Sequence, residues 1–200
     1  PFEDERQTLI AEQSNNQVLI SSGMTFLQES VNSKYSYNFN WLGRPIIQYP
    51  QDIVAAQEIV YSSDPDCIIE TGVAHGGSLV MSASMLALLD MKHGVSPEKS
   101  QRKVIGIDID IRQHNREFIE NHFLSSYITL IEGSSIDNNI ASKVKDISNQ
   151  YKSVMVMLDS NHTHEHVLSE MELYGELVSL GNYLIVYDTL IEDMPTNAYP

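Results

Sequence analysis

One cysteine and only twelve basic residues stand in a chain of 200 amino acids, and each scarcity removes a class of protein. With Cys67 alone no internal disulfide can form, and the apolar run after it makes the thiol a small buried hydrophobe in a reducing compartment, which points to the cytoplasm. Twelve Lys and Arg against 27 Asp and Glu leave a formal net charge of -15. That is the wrong sign for gripping a phosphate backbone or an anionic bilayer, so neither nucleic acid nor membrane is an expected partner. No stretch approaches the ~18 apolar residues that cross a bilayer, and no basic-then-apolar leader opens the chain. Pro1 in place of Met suggests a processed or excised segment. The first sixteen residues, PFEDERQTLIAEQSNN, lack apolar periodicity and are expected to form a mobile arm or a short helix, with an N-terminal arm or helical segment drawn as residues 1–40.

What is present is the composition of an ordinary soluble globule, 42% hydrophobic and 20% charged, at a length that suits one domain. From Cys67 onward two textures alternate. Short continuous apolar runs occupy residues 67–73 (CIIETGV), 104–110 (VIGIDID), 128–131 (ITLI), 154–158 (VMVML) and 183–187 (YLIVY), as strands covered on both faces should read. Between them lie helix-length segments at 78–91, 112–123, 139–150 and 164–180, and a further helix is expected at 50–61, opened by Pro50. Residues 92–103 (KHGVSPEKSQRK) read as a surface loop. Strands alternating with helices predict an α/β fold, doubly wound, with a Rossmann-like parallel sheet and helices on both faces. In such a sheet the ligand crevice lies beyond the carboxyl ends of the strands.

The residues at those ends carry chemistry. After the first run comes Glu70-Thr71-Gly72-Val73-Ala74-His75-Gly76-Gly77-Ser78, a turn that lets backbone approach a ligand and offers free N–H groups to an anion. Its G-x-x-x-G-x-S spacing is not the dinucleotide fingerprint, and a turn needed only for packing is the plain alternative. Asp108 ends the second run, where an acid commonly accepts from ribose hydroxyls, although a solvated strand-end acid reads the same way. Ser135 and Asp137 follow the third; alone they read as an N-cap. Asp159 and Asp188 end the fourth and fifth, and two carboxylates on neighbouring buried strands call for a cation such as Mg²⁺ between them.

Together these stretches resemble the class I S-adenosylmethionine (SAM)-dependent O-methyltransferases, and within them the cephalosporin hydroxylase family that includes rhamnosyl O-methyltransferases. The likeness is carried by WLGRPIIQYPQDI (41–53), IIETGVAHGGSL (68–79), VIGIDIDIR (104–112), EGSSID (132–137), LDSNHTHEHVLSEMELY (158–174) and YDTLIEDMP (187–195). The resemblance implies a SAM-binding methyltransferase domain over 41–200. Glu70, Gly72 and Ser78 would serve the methionine portion of the donor, Asp108 its ribose, and Ser135 with Asp137 its adenine, with Gly76 a further donor-binding residue. Asp159, Asp188 and Thr189 would surround Mg²⁺, and His162, at a place where catechol-type relatives carry lysine, would be the general base beside Asp159. Thr189 stands where those relatives carry asparagine, and some relatives place an acid at Tyr187. The implied activity is methyl transfer to a hydroxyl of a sugar or small natural-product scaffold by a cytoplasmic homo-oligomer. A hydroxylation or methoxylation component, or a SAM-binding partner without catalysis, are the alternatives.

Other features have simpler readings. His162-Thr163-His164-Glu165-His166 matches the H-x-x-E-H of some zinc hydrolases, but it follows a strand-end aspartate and no third ligand helix is legible. His164 is expected on the helix surface. Met81, Met85 and Met91 are expected in the core, His75 either fills the turn or approaches a ligand, and Trp41 and Tyr49 either cover a substrate or close the fold. Glu192 and Asp193 could line an acceptor loop. A complete sheet of the resembled type has about seven strands. Only five are legible, which predicts a domain whose C-terminal strands are missing and an apolar edge at 183–187.

Overall fold

The computed structural model describes residues 1–193. Two helices come first, α1 (Phe2–Gln13) and α2 (Gln17–Asn32). The helical alternative for the opening residues is the one observed, but α1 buries no side chain. The Asn16 side chain accepts from Leu19 N at 3.0 Å and so starts α2, supplying one of the partners a first helical turn lacks. A hairpin follows, β1 (Phe39–Trp41) and β2 (Arg44–Ile46), which local apolar patterning had not disclosed. Next comes α3 (Pro50–Ser63), with Pro50 in its first turn and Asp64 at φ 51° ending it.

The body of the molecule is a five-stranded, all-parallel sheet in the order β5-β4-β3-β6-β7, formed by β3 (Cys67–Thr71), β4 (Lys103–Asp108), β5 (Ile128–Glu132), β6 (Val154–Leu158) and β7 (Leu184–Val186). The doubly wound α/β expectation therefore holds. Helices α4 (Gly77–Lys92), α5 (Gln113–Glu120), α6 (Asn138–Ser148) and α7 (His164–Tyr174) are the crossovers. Every residue of β3 and β6 is buried, and each large aliphatic side chain so placed contributes about 2 kcal/mol of transfer free energy. One core layer joins β3 and β4 to α4 through Ile68, Val104, Leu79 and Leu86; the other sets Ile69, Ile105 and Val156 against Val144 and Tyr174.

Several boundaries are tighter than the apolar runs suggest. β3 stops at Thr71 because Gly72, at φ 91°, leaves extended backbone. α7 stops at Tyr174, and a 3-10 turn, Gly175–Leu177, occupies what reads as its last stretch. Met81 and Met85 are in the core, but Met91 is exposed, because it sits at the last turn of α4 beyond the sheet. The 92–103 loop is polar as expected, yet Arg102 is largely buried and bridges Asp64 and Asp90 at 2.8 and 3.0 Å. Cys67 is a buried free thiol, and burial pushes its pKa up to about 12. Among the described residues β7 pairs with β6 alone and is the half-buried edge that the apolar patterning anticipated. Among the described residues no helix is long and apolar enough to cross a membrane.

Candidate active site

Parallel strands β3, β4, β6 and β7 end on one side of the sheet, and their carboxyl ends bring Glu70, Asp108, Asp159 and Asp188 to one edge. The glycine turn between β3 and α4 is the pivot. A Cβ at Gly72 would run into the Asp159 carbonyl, so only glycine lets the turn lie against the loop after β6. Asp159 N closes that approach by donating to Thr71 O at 3.0 Å. Gly76, at φ 84°, is the N-cap of α4, and a side chain there would strike Ile119, so its place is in the turn and its packing.

Two residues that the sequence reading had not singled out pin the same turn. Arg44 in β2 donates from Nε to the His75 carbonyl at 2.9 Å and from Nη2 to Asn115 Oδ1 at 3.0 Å, while Asn115 donates to the Ala74 carbonyl at 2.8 Å. Asp108 works from the other side. Its Oδ2 accepts from Val73 N at 2.8 Å and Ala74 N at 3.2 Å, and Oδ1 accepts from Asp110 N at 3.1 Å. The carboxylate expected at a ribose is in this structure the clamp that fixes the glycine turn. The turn, Ser78, Gln48 and Asp159 line a small cleft, and His75 faces it.

Glu70, near the end of β3, is 2% exposed, with Oε2 accepting from Ser82 Oγ at 3.1 Å and Oε1 without a partner. Burial pushes its pKa up to about 7 against hydrogen bonds from Ser78 and Ser82. An orphaned buried acceptor suits a cationic group. Asp159 is raised further, to about 8, by burial first and then by the carboxylates of Asp188 and Glu70, with Gln48 opposing weakly from 3.4 Å. Gln48 gave no local signal in the sequence beyond being polar in an apolar stretch, and its Oε1 is also buried without a partner.

Asp159, His162 and Asp188 each bring a ligand atom within 4.8 Å of the others. His162 Nε2 is 3.3 Å from Asp188 Oδ2, and Asp188 holds φ 55° as the chain turns out of β7. Two carboxylates and an imidazole nitrogen form a donor set that fits a divalent cation. Thr189 follows directly and opens the 3-10 turn Thr189–Asp193. His162 precedes α7, so it does not share a helical face with His166, and His166 lies outside the cluster: the H-x-x-E-H zinc geometry is absent among the described residues.

Of the remaining expected residues, Asp137 Oδ1 caps α6 by accepting from Asn139 N at 2.7 Å, and Ser135 is buried with its Oγ 3.1 Å from His166 Nε2. Trp41 donates to Ser84 Oγ at 3.0 Å and packs on the core, closing the fold. Tyr49 lines a cavity of about 470 Å³ between α2, α3 and the end of β7, with Phe26, Asp52, Tyr187 and Asp188. A second cavity of about 300 Å³ on the other side of β7 takes in His162, His164 and Met171, so His164 lines a cavity wall as well as the helix surface. Tyr187 lies between the two, its hydroxyl held protonated well above the usual range by burial and by Glu70 and Asp159.

Known proteins resemble the chain in sequence and in fold. A family model described as Rhamnosyl O-methyltransferase/CmcI matches residues 33–200. The chain belongs to this family. Within the Rhamnosyl O-methyltransferase/CmcI group it is 31% identical over 140 residues to the rhamnosyl O-methyltransferase of Mycobacterium bovis (strain BCG / Pasteur 1173P2), covering 70% of this chain and 52% of that protein. With the rhamnosyl O-methyltransferase of Mycobacterium leprae (strain TN) it shares 28% over 185 residues, 87% of this chain and 75% of the relative. The chain spans about half the length of the first of these relatives. Among solved structures, CmcI with SAH superposes with a TM-score of 0.52 at 19% identity over 80% of this chain and 71% of that one. CmcI with Mg-SAM gives 0.52 at 19% over 78% and 60%. These likenesses show the class I methyltransferase fold.

Proposed function

We propose that the chain is a SAM-dependent, Mg²⁺-assisted O-methyltransferase acting on a hydroxyl of a sugar or small natural-product scaffold. The observation that carries the reading is the contact of the glycine turn with the Asp159 loop at Gly72, which sets a donor site and a cation site side by side. Family membership and the CmcI structures with SAH and with Mg-SAM support both ligands. When bound, SAM supplies an activated methyl group and Mg²⁺ supplies Lewis acidity toward an acceptor hydroxyl.

The protein's own contribution follows from its residues. Glu70, whose Oε1 has no partner, would meet a cationic group of the methionine portion, and Gly72, Gly76 and Ser78 would shape the turn around it. Asp108 serves the ribose while holding Val73 and Ala74 in place, and Ser135 and Asp137 border the adenine. Asp159, Asp188 and Thr189 would hold the cation. His162 accepts the acceptor's proton at Nε2, where the Asp188 carboxylate stabilises the imidazolium that forms. The catalytic unit in this reading is 41–200, with 1–40 as a helical arm, in a cytoplasmic homo-oligomer.

The test is uptake of SAH, with NAD as control, followed by a screen of sugars and glycosylated metabolites for donor-dependent mass gain. Binding of SAH but not NAD, with gain of one methyl on a hydroxylated acceptor, is expected; no response to SAH defeats the reading. His162→Ala separates base from ligand. Loss of turnover with Mg²⁺ uptake retained supports the base, and loss of Mg²⁺ uptake assigns His162 to the cation.

A further inference from the structure

The inward face of α7 carries His166, Glu170 and Tyr174 at four-residue spacing, which stacks them on one side of the helix. None of them belongs to the residues assigned above. Glu170 is fully buried, an expensive place for a carboxylate without partners. Its Oε1 accepts from Ser160 Oγ at 2.6 Å and lies 3.3 Å from His166 Nε2, while Oε2 has no partner. Those two contacts alone fix the carboxylate's direction among the described residues.

His166 Nε2 is in turn 3.1 Å from Ser135 Oγ and 3.2 Å from Ser160 Oγ. Tyr174 donates its hydroxyl to the Ser135 carbonyl at 2.6 Å. Ser135 lies in the turn after β5 and Ser160 directly follows Asp159 after β6, so a single helix face grips both turns. The cluster is not a nucleophilic triad. In a triad the acid and the serine face different ring nitrogens, whereas here one nitrogen meets the acid and both hydroxyls.

We propose that His166, oriented by Glu170, is a positioning residue that ties the donor-side turn at Ser135 to the cation-side loop at Ser160, so that SAH and Mg²⁺ each strengthen binding of the other through it. The inference rests on the assignment of Ser135 to the donor and Asp159 to the cation under the proposed function. Binding of a cation by Asp159 orders the adjoining Ser160, and the shared nitrogen passes that order to Ser135. By linkage the factor is the same in both directions.

Calorimetric titration of the full chain with SAH, with and without MgCl₂, and with MgCl₂, with and without SAH, tests the inference. The wild type is expected to show mutual tightening by a common factor. His166→Ala should bring that factor to near one and weaken SAH by about tenfold, the value of one or two lost hydrogen bonds. His166→Gln, whose amide reaches the Nε2 position, should restore a good part of it. Ser160→Ala is the milder variant for the same link and should lower the factor even if His166→Ala does not fold. Glu165→Ala, on the exposed face, should bind as wild type. A merely structural role would lower the melting temperature and leave the factor intact. A folded His166→Ala or Ser160→Ala with undiminished mutual tightening overturns the proposal, as does a wild type that binds both ligands independently. Failure of the wild type to bind SAH overturns the proposed function and this inference together.

Discussion

Glu70 and Asp159 are acids that the fold holds back from ionising, and their energetics can be read in the pH dependence of the empty protein. The folded Glu70 keeps its proton up to about pH 7, whereas in the unfolded chain it ionises in the usual carboxylate range. Between those values the folded state binds more protons, so stability falls as pH rises through that window and is greatest below it. Glu70→Gln should flatten this fall, and at pH 8 it should be the more stable protein by up to roughly 3 kcal/mol, as denaturant unfolding at pH 5 and pH 8 would show. Asp159, held at about 8 by burial and by its acidic neighbours, must give up a proton to take a cation. Mg²⁺ binding at pH 7 should therefore release close to one proton, seen as a dependence of the binding heat on buffer ionisation, and Asp159→Asn should abolish both uptake and release. Gly72→Ala should cost more than about 3 kcal/mol, or remove SAH binding while folding persists, because φ 91° and the Asp159 carbonyl both oppose a side chain. The strand-end acids were legible in the sequence because an acid closing a buried apolar run is a local pattern. Arg44, Asn115 and Gln48 were not, since their partners lie 31, 41 and 111 residues away along the chain.

The elements divide in the same way. All five parallel strands could be read from continuous apolar runs, because strands covered on both faces write their burial directly into sequence, and the helices from the segments left between them. The three-residue strands of the hairpin could not, because β1 and β2 are too short for a period and are held by packing on α4. The opening helix α1 buries nothing and so has no apolar stripe to read. Stability should follow burial. Amide hydrogen exchange is expected to be slowest in β3, β4 and β6, faster in the three half-buried residues of the edge strand β7, and fastest in α1, which should exchange close to the unstructured rate. Protection of β7 equal to that of β3 would mean that the edge is covered in solution. The left-handed turn at Asp188 would then sit in a stiffer frame than the strand order implies.

At the scale of the molecule, the acid surplus has a specific focus. Most of the -15 charge is spread over the surface, but Asp52, Asp159 and Asp188, with Glu70 beneath, converge where β3, β6 and β7 end and α3 begins. Asp52 is itself raised, by burial and then by Asp188, so the cluster repels itself until a cation enters. Against it lies the glycine turn, clamped from three sides by Arg44, Asn115 and Asp108. The two cavities beside β7 open onto the same residues and offer the space an acceptor would need. In the proposed function a donor site and a cation site share one wall. Nuclear magnetic relaxation of bound SAH with Mn²⁺ in place of Mg²⁺ tests it most directly. Strong paramagnetic broadening of the SAH protons, removed by Asp159→Asn without loss of SAH binding, is the predicted result; SAH that binds yet remains sharp in saturating Mn²⁺ would contradict it.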